Sequence, residues 1–343
     1  MAALLVVDPG PLATLQDLGR VGYQRFGVTV SGALDERALR LANRLAGNES
    51  GEAAIEFTLA GGTYVVEAAA CRIAVAGGDF PLSINGRRAG AYASHTLKRG
   101  DRLVIGRAHA GTRGYLAVAG GFDLPRVLGS RSTHVRSGLG GMDGQPLKAG
   151  SRLPLAGAER FDGPDRWLKT SLWPKARDVV RVVLGPQDDL FTEEGKTTFL
   201  SSAYRILSQS DRMGYRFEGP PIRHAADYNI VSDGIAPGSV QVIGSGQPII
   251  MLADRQTTGG YAKIATVISA DLPVLAQCRP GNAVRFRAVG VEEAEGLRAA
   301  MLDGIERLAA AFYRAGSADD DTANLLGVNL IDGIVSPEEA PPR

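Results

Sequence analysis

From Ala53 to about Leu155 the chain never holds one apolar pattern for long before a turn signal interrupts it. Short apolar or alternating runs at 54–59, 63–66, 72–75, 82–84, 95–97, 102–105 and 114–118 are separated by Gly, Asn, Asp and Pro. Runs this short cannot be long helices. Many strands at near-regular spacing with few helices between them predict antiparallel sheet closing into a barrel or sandwich. Asn85-Gly86, set between Ile84 and Arg87, is a hairpin signal because both central residues of a type I′ turn need positive φ. Glycine fits the same reading: it supplies 44 of 343 residues, nearly twice the ordinary share of about 7%. Aromatic residues are only 6%, so Val, Ile, Leu and Ala must build the core.

Helical periodicity is confined to three places. Leu34, Ala38, Leu41, Ala42 and Leu45 share one face, opposite Glu36, Arg37, Arg40 and Arg44, with Ser31 or Asp35 as the cap and Gly47-Asn48 as the stop. A short helix is predicted over 192–200 with Thr192 as N-cap, and an amphipathic one over 291–315 carrying Leu297, Ala300, Met301, Ile305, Leu308 and Phe312. Between about 156 and 177 the periodicity disappears, charge and proline gather, and both tryptophans occur. The expected layout is a mainly β chain with a barrel domain over 1–157, a connection over 158–177, a second barrel domain over 178–290, and a helix with an acidic Pro-rich tail over 291–343. Trp167 and Trp173 are expected to pack at the junction rather than stack on a ligand.

Composition excludes several functions. With 38 basic and 37 acidic residues there is no field to draw nucleic acid or an anionic membrane. Cys71 and Cys278 lie far apart outside any CxxC pair, and the four histidines are scattered, which argues against a disulfide framework or zinc site. The opening MAALLVVDPG reads as a first strand rather than a leader, and no apolar run approaches the roughly 20 residues of a membrane span, so a cytoplasmic location is expected. GxGxxG after a strand, GxxxxGK, HExxH and GxSxG are all missing, which argues against a self-contained dehydrogenase, P-loop ATPase, zincin or α/β-hydrolase.

What remains is a set of polar loops. In the stretch 248–286, strand-like runs flank Asp254-Arg255-Gln256-Thr257-Thr258-Gly259-Gly260-Tyr261. Arg offers a fork of donors, Asp accepts, Gln does both, the hydroxyls adapt, and Gly-Gly lets backbone approach a ligand. The same residues also describe a turn that satisfies itself. Arg131, Ser132, Thr133 and Arg136 form a second donor-rich loop, and Asp211-Arg212-Met213 a third. Asp17 with Arg20, Asp211 with Arg212 and Asp254 with Arg255 are each structural ion pairs or parts of one site.

Taken together, TLQDLGRVGY, GVTVSGALDERALRLANRLAGN, AVAGGFDLPRVLGSRST, GPQDD, SDRMGYR and ADRQTTGGYAKIATVISADLPVLAQCRPG resemble the biotin-dependent carboxyltransferase-like family. That family includes allophanate hydrolase subunit 2, the carboxyltransferase part of urea carboxylase, Kip-type antagonists and the C-type subunit of ATP-dependent 5-oxoprolinase. The likeness covers about residues 5–290, and Leu34 stands where the family more often has Met. It implies two cyclophilin-like β-barrels, and its stand-alone length is most similar to the oxoprolinase member. It further implies an ATP-using complex that opens 5-oxoproline to glutamate, with a partner like allophanate hydrolase subunit 1 or the Kip-type inhibitor and an A-type lactamase subunit. The chain lacks an Ala-Met-Lys-Met site, so no covalent biotin is expected on it. Under this resemblance Arg131, Arg212 and Arg255 are candidates to bind a carboxylate or phosphoryl group. Asp211, Asp254 and Asp271 are candidates to position an amide or act as base, with Ser132, Thr133, Gln256, Thr257, Thr258 and Tyr261 as further ligand-binding residues. The alternatives are carboxyl transfer to urea or a related amide from carboxybiotin on another protein, and a regulatory antagonist of a Kip-type kinase inhibitor.

Overall fold

The computed structural model describes residues 2–157, 161–169 and 177–314. Its architecture is mainly β. In the first half, a six-stranded sheet runs in the order 152–154, 3–8, 60–66, 102–107, 82–84, 87–89, and a five-stranded sheet in the order 13–16, 54–58, 110–118, 70–79, 94–98. Leu4, Val6, Tyr64 and Leu103 of the first sheet meet Leu15, Phe57, Ile73 and Leu116 of the second in one buried core. The Asn85-Gly86 turn forms as expected, with φ of 53° and 78° joining 82–84 to 87–89.

Strand alternation sends every second residue of the five-stranded sheet to its outer face. There Ala54, Ala74, Ala76 and Ala117 are small enough for α1 (Glu36–Ala46) to lie against the sheet through Leu39, Leu41, Ala42 and Leu45. Full burial of such leucines contributes roughly 1.5–3 kcal/mol each. The helix starts where the sequence predicts it: Asp35 accepts a hydrogen bond from Ala38 N, and Gly47 ends it at φ 96°. Ser31, the other capping candidate, is used elsewhere.

The second half closes a seven-stranded barrel in the order 179–184, 263–267, 239–242, 248–251, 214–218, 203–206, 283–288, sealed by a parallel pairing of the last strand with the first. Inside it lie Val180, Tyr204, Phe217, Val240, Ile250, Ile264 and Phe286. α2 (Glu193–Ser201), capped by Thr192 as predicted, packs its Phe199 on Phe286 at 4.5 Å. A short helix, α3 (Leu272–Ala276), follows the barrel strand 263–267. α4 (Val291–Ala310) then crosses back to α1, where Arg298 pairs with Glu36. Three elements depart from the sequence reading: α3 is a fourth helix beyond the three expected, and two others differ in type or extent. Thr258–Tyr261 is a strand in a two-stranded ribbon with Asn229–Gly234, and α4 stops at Ala310 so that Tyr313 can stack on Trp167 at 4.3 Å. That stacking is the packing role predicted for Trp167; Trp173 and half of the 158–177 connection lie outside the described residues.

The two halves are stitched through several segments. Gln277 Oε1 accepts from Thr112 N at 2.9 Å and Arg113 N at 3.1 Å, while its Nε2 donates to Asp35 Oδ2 at 2.8 Å. Arg279 donates to the carbonyls of Gly111 and Ala108 at 2.8 and 2.9 Å. Leu34 belongs to the second core although it precedes α1.

Candidate functional site: a buried polar seam

Between the halves runs a seam of buried polar side chains. Glu56 reaches it because Ile55 and Phe57 face the core and the residue between them must face away. Arg212, from the loop before the strand 214–218, extends its guanidinium to Glu56 Oε1, to Asp254 Oδ2 at 2.8 Å and to the Gly32 carbonyl at 2.7 Å. Tyr115 Oη donates to Glu56 Oε2 at 2.7 Å, and Ser31 Oγ donates to Asp254 Oδ1 at 2.7 Å. Burial alone would raise the Asp254 carboxyl, but the adjacent Arg212 charge and its bonds outweigh that and hold it below the usual range. Burial would likewise lower the Arg212 pKa, yet Glu56 and Asp254 together make the guanidinium hold its proton more firmly than usual.

Beside this network the carboxylate of Asp17 accepts four hydrogen bonds: from Gly19 N at 2.8 Å, Ser130 Oγ at 2.6 Å, Arg131 N at 2.6 Å and Ser132 Oγ at 2.5 Å. Arg20, 1% exposed, reaches over from the same TLQDLGR segment and donates through Nη2 to the Ser132 carbonyl. The Thr133 carbonyl accepts from Gln16 Nε2 at 3.0 Å and Ser31 Oγ at 3.1 Å. Next along the chain, the His134 ring sits by Asp254, Arg20 and Arg212, and burial keeps its pKa below the ordinary value.

The structure therefore gathers part of the sequence-predicted site. Ser132, Thr133, Arg212 and Asp254 share the seam, although they come from three distant segments. Arg131 turns away, donating to Glu52 Oε1 at 2.6 Å and the Leu124 carbonyl at 2.7 Å. Arg255 is 2% exposed and spends its fork on the carbonyls of Ile235 and Leu252 and on Gln24 Oε1; with no carboxylate beside it, burial pushes its pKa down to about 10. Asp211 is an exposed turn residue accepting from Met213 N at 2.8 Å. Asp271 is fully buried but belongs to another cluster, where it takes hydrogen bonds from Arg181 N, Nε and Nη2 and from Arg177. A carboxylate so saturated is an anchor for the first barrel strand, in place of the base suggested for it. Gln256 is exposed, and Thr257, Thr258 and Tyr261 accompany the ribbon rather than the seam, with Tyr261 stacked on Tyr228 at 6.2 Å.

The sequence reading missed Glu56, Gln16 and His134. Glu56 carried a legible signal, a charge in the middle of the apolar strand AIEFT, which is stable only when paired. A cleft of about 1250 Å³ lies elsewhere between the halves, walled by Asp79, Tyr92, His109, Gln277, Cys278 and Asn282 among others, and none of the sequence-predicted site residues lines it. No group of three His, Cys, Asp or Glu side chains among the described residues is arranged to hold a metal ion.

A mainly β protein whose two halves meet over a buried Arg-carboxylate seam is the class that this geometry defines. Residues 26–288 match the family described as carboxyltransferase domain, subdomain A and B, and the chain belongs to that family. It is 38% identical over 291 residues to the C-type subunit of 5-oxoprolinase from Escherichia coli, covering 85% of this chain and 93% of that one. The counterpart from Haemophilus influenzae is 40% identical with the same coverage. The crystal structure of the Kluyveromyces lactis urea carboxylase superposes with a TM-score of 0.84 at 32% identity, over 89% of this chain and 29% of that one. That of TTHA0988 superposes with a TM-score of 0.75 at 36% identity, over 84% of this chain and 56% of that one. No helix among the described residues is long and apolar enough to cross a membrane.

Proposed function

We propose that this chain is a subunit of an ATP-dependent 5-oxoprolinase complex that opens 5-oxo-L-proline to L-glutamate, inactive without its partners. The observation that carries this reading is coverage. The chain matches 93% of two C-type subunits of 5-oxoprolinase, but only 18% of the urea amidolyase of Lachancea kluyveri. The partners are a protein resembling allophanate hydrolase subunit 1 and an A-type lactamase subunit, with ATP bound in the complex. Within it, the seam of Arg212, Asp254, Ser132 and Thr133 is the part of this chain that meets the substrate. Asp254 serves as the acceptor that Arg212 keeps ionised.

The test mixes the purified chain with both partners, ATP and 5-oxoproline and follows glutamate. Glutamate is expected only with every component present. Equal glutamate without this chain, or none in the complete mixture, defeats the proposal. Carboxyl transfer to urea is the second reading, favoured by the 0.84 TM-score to a urea carboxylase; a biotin carboxylase and a carboxybiotin carrier would replace the oxoprolinase partners in the same assay.

A further inference from the structure

Within the seam, four buried side chains from two segments carry polar atoms that close no hydrogen bond with a protein group. These are Gln16 Oε1, Arg20 Nε and Nη1, Thr133 Oγ1 and both ring nitrogens of His134. The His134 ring lies near the Asp254 backbone but stops short of a well-formed bond to it. Gln16, Arg20, Thr133 and His134 are 0%, 1%, 1% and 5% exposed. Leaving one such group unpaired costs about 1–3 kcal/mol, and most buried polar groups are paired; several unpaired together mark a place where something else supplies the partners. They are mutual neighbours. Gln16 Nε2 holds the Thr133 carbonyl, Arg20 Nη2 holds that of Ser132, and the His134 ring interacts with Arg20.

The wall over these groups is glycine backbone. Gly140 and Gly141 adopt φ of 67° and 55°; a methyl on the first would lie 2.6 Å from Arg20 Nη2, and one on the second 2.0 Å from Thr133 Oγ1. Only glycine lets the backbone pack this closely on Thr133 Oγ1 and on the Arg20 Nη2 bond to the Ser132 carbonyl.

Charge decides what fits. The carboxylates of Asp17 and Asp254 both act on Arg20, and Arg212 is already shared between Glu56 and Asp254. These three carboxylates face two guanidiniums, so a further anion would be repelled in a poorly screened interior. A neutral ligand is not. The orphan set holds the fixed donors of Arg20, the fixed acceptor Gln16 Oε1, and Thr133 and His134 that play either role. That is the complement of one planar group with a carbonyl oxygen and an N–H.

We propose that Arg20, Thr133, His134 and Gln16 form a subsite for a neutral amide. Its carbonyl oxygen accepts from Arg20 and Thr133, and its N–H is directed to Gln16 Oε1. A lactam and a urea share this chemistry. The subsite deepens the oxoprolinase reading, on which it rests, by naming the lactam as the group of the substrate that this chain holds; the carboxylate of 5-oxoproline, ionised at neutral pH, then lies outside the subsite. It assigns the unsatisfied fork to Arg20, since the forks of Arg131, Arg212 and Arg255 are engaged.

Titration of the full chain, alone and in the reconstituted complex without ATP, with 2-pyrrolidinone, urea below denaturing concentration, or acetate tests it, read from the ring nitrogen resonances of His134. Saturable shifts are expected with at least one amide and none with acetate. Saturation by the lactam alone or by urea alone identifies which source the site prefers. Thr133→Val removes a buried hydroxyl without a protein partner, so it should hold or raise the melting temperature of the free chain while weakening that amide about tenfold; Arg20→Lys should weaken it at least as much. Absence of any saturable shift in both preparations, preference for acetate, or unchanged affinity in Thr133→Val overturns the subsite. The glutamate assay is independent. Thr133-dependent amide binding without glutamate formation retains the subsite and rejects the oxoprolinase reading, and the reverse outcome does the opposite.

Discussion

At the scale of single residues the seam is governed by Arg212. Its guanidinium, 8% exposed, ties Glu56 of the first half to Asp254 of the second. Removing one partner of a buried pair strands the others, a loss of about 3–5 kcal/mol. Arg212→Ala should therefore lower the unfolding free energy by that amount in denaturant titration; a loss under about 1 kcal/mol would mean that the seam behaves like a surface pair. Asp254 and Asp271 give the acid behaviour. Burial opposes their ionisation, but arginines outweigh it and hold both carboxyls below the usual value. For a depressed carboxyl the stabilisation is complete above the unfolded pKa of about 3.9 and is lost as pH falls through the folded value. The stability that these two carboxyls contribute should be level down to about pH 5 and decline below pH 4. Asp271→Asn should be less stable at neutral pH and show a shallower acid decline, and an unchanged acid slope in that variant would refute the assignment.

At the scale of elements, α1 couples local capping to the junction. Asp35 accepts from Ala38 N through Oδ1 and from Gln277 Nε2 through Oδ2. Asp35→Ala removes the cap, worth about 1 kcal/mol, and takes one of its two acceptors from Gln277 Nε2, which keeps only the Arg113 carbonyl at 3.0 Å, for about 0.5–1.5 kcal/mol more. Asp35→Asn retains an oxygen for the cap but sets its amide nitrogen against Gln277 Nε2, donor to donor, so it should lose less only by the share of the cap; equal losses in thermal melts would show that the cap is irrelevant. This helix was readable in advance because its period, cap and stop agree within one short window. So were the hairpin at Asn85-Gly86 and the cap at Thr192. The strand Thr258–Tyr261 was not, because TTGGY has neither alternation nor apolar weight; its pairing is imposed by Asn229–Gly234, far earlier in the chain. The seam was half legible for a related reason. Gly, Arg and hydroxyl clusters announce polar loops, but which fork is consumed depends on partners such as Glu52 for Arg131 and Ile235 for Arg255, which no local spacing encodes.

At the scale of the whole molecule, the question is whether the halves part. Cys278 reports on it, because it lines the cleft between them, follows Gln277 in sequence, and has its thiol pushed up to about 11 by burial. Cys71 lies in the first core, with its thiol raised to about 12 by burial and by the Asp101 charge. At pH 7.5 little thiolate exists at either, so both should react slowly with a disulfide reagent in the native protein. Gln277→Ala removes the acceptor for Thr112 N and Arg113 N together with the donor to Asp35. Those bonds join the halves, whereas the interior around Cys71 is built within the first half alone. The variant should therefore speed labelling of Cys278 several-fold and leave Cys71 unchanged, because local opening exposes only what the lost contacts covered. Equal acceleration at both thiols would show instead that the halves unfold as one unit and that the stitch at Gln277 contributes only to global stability.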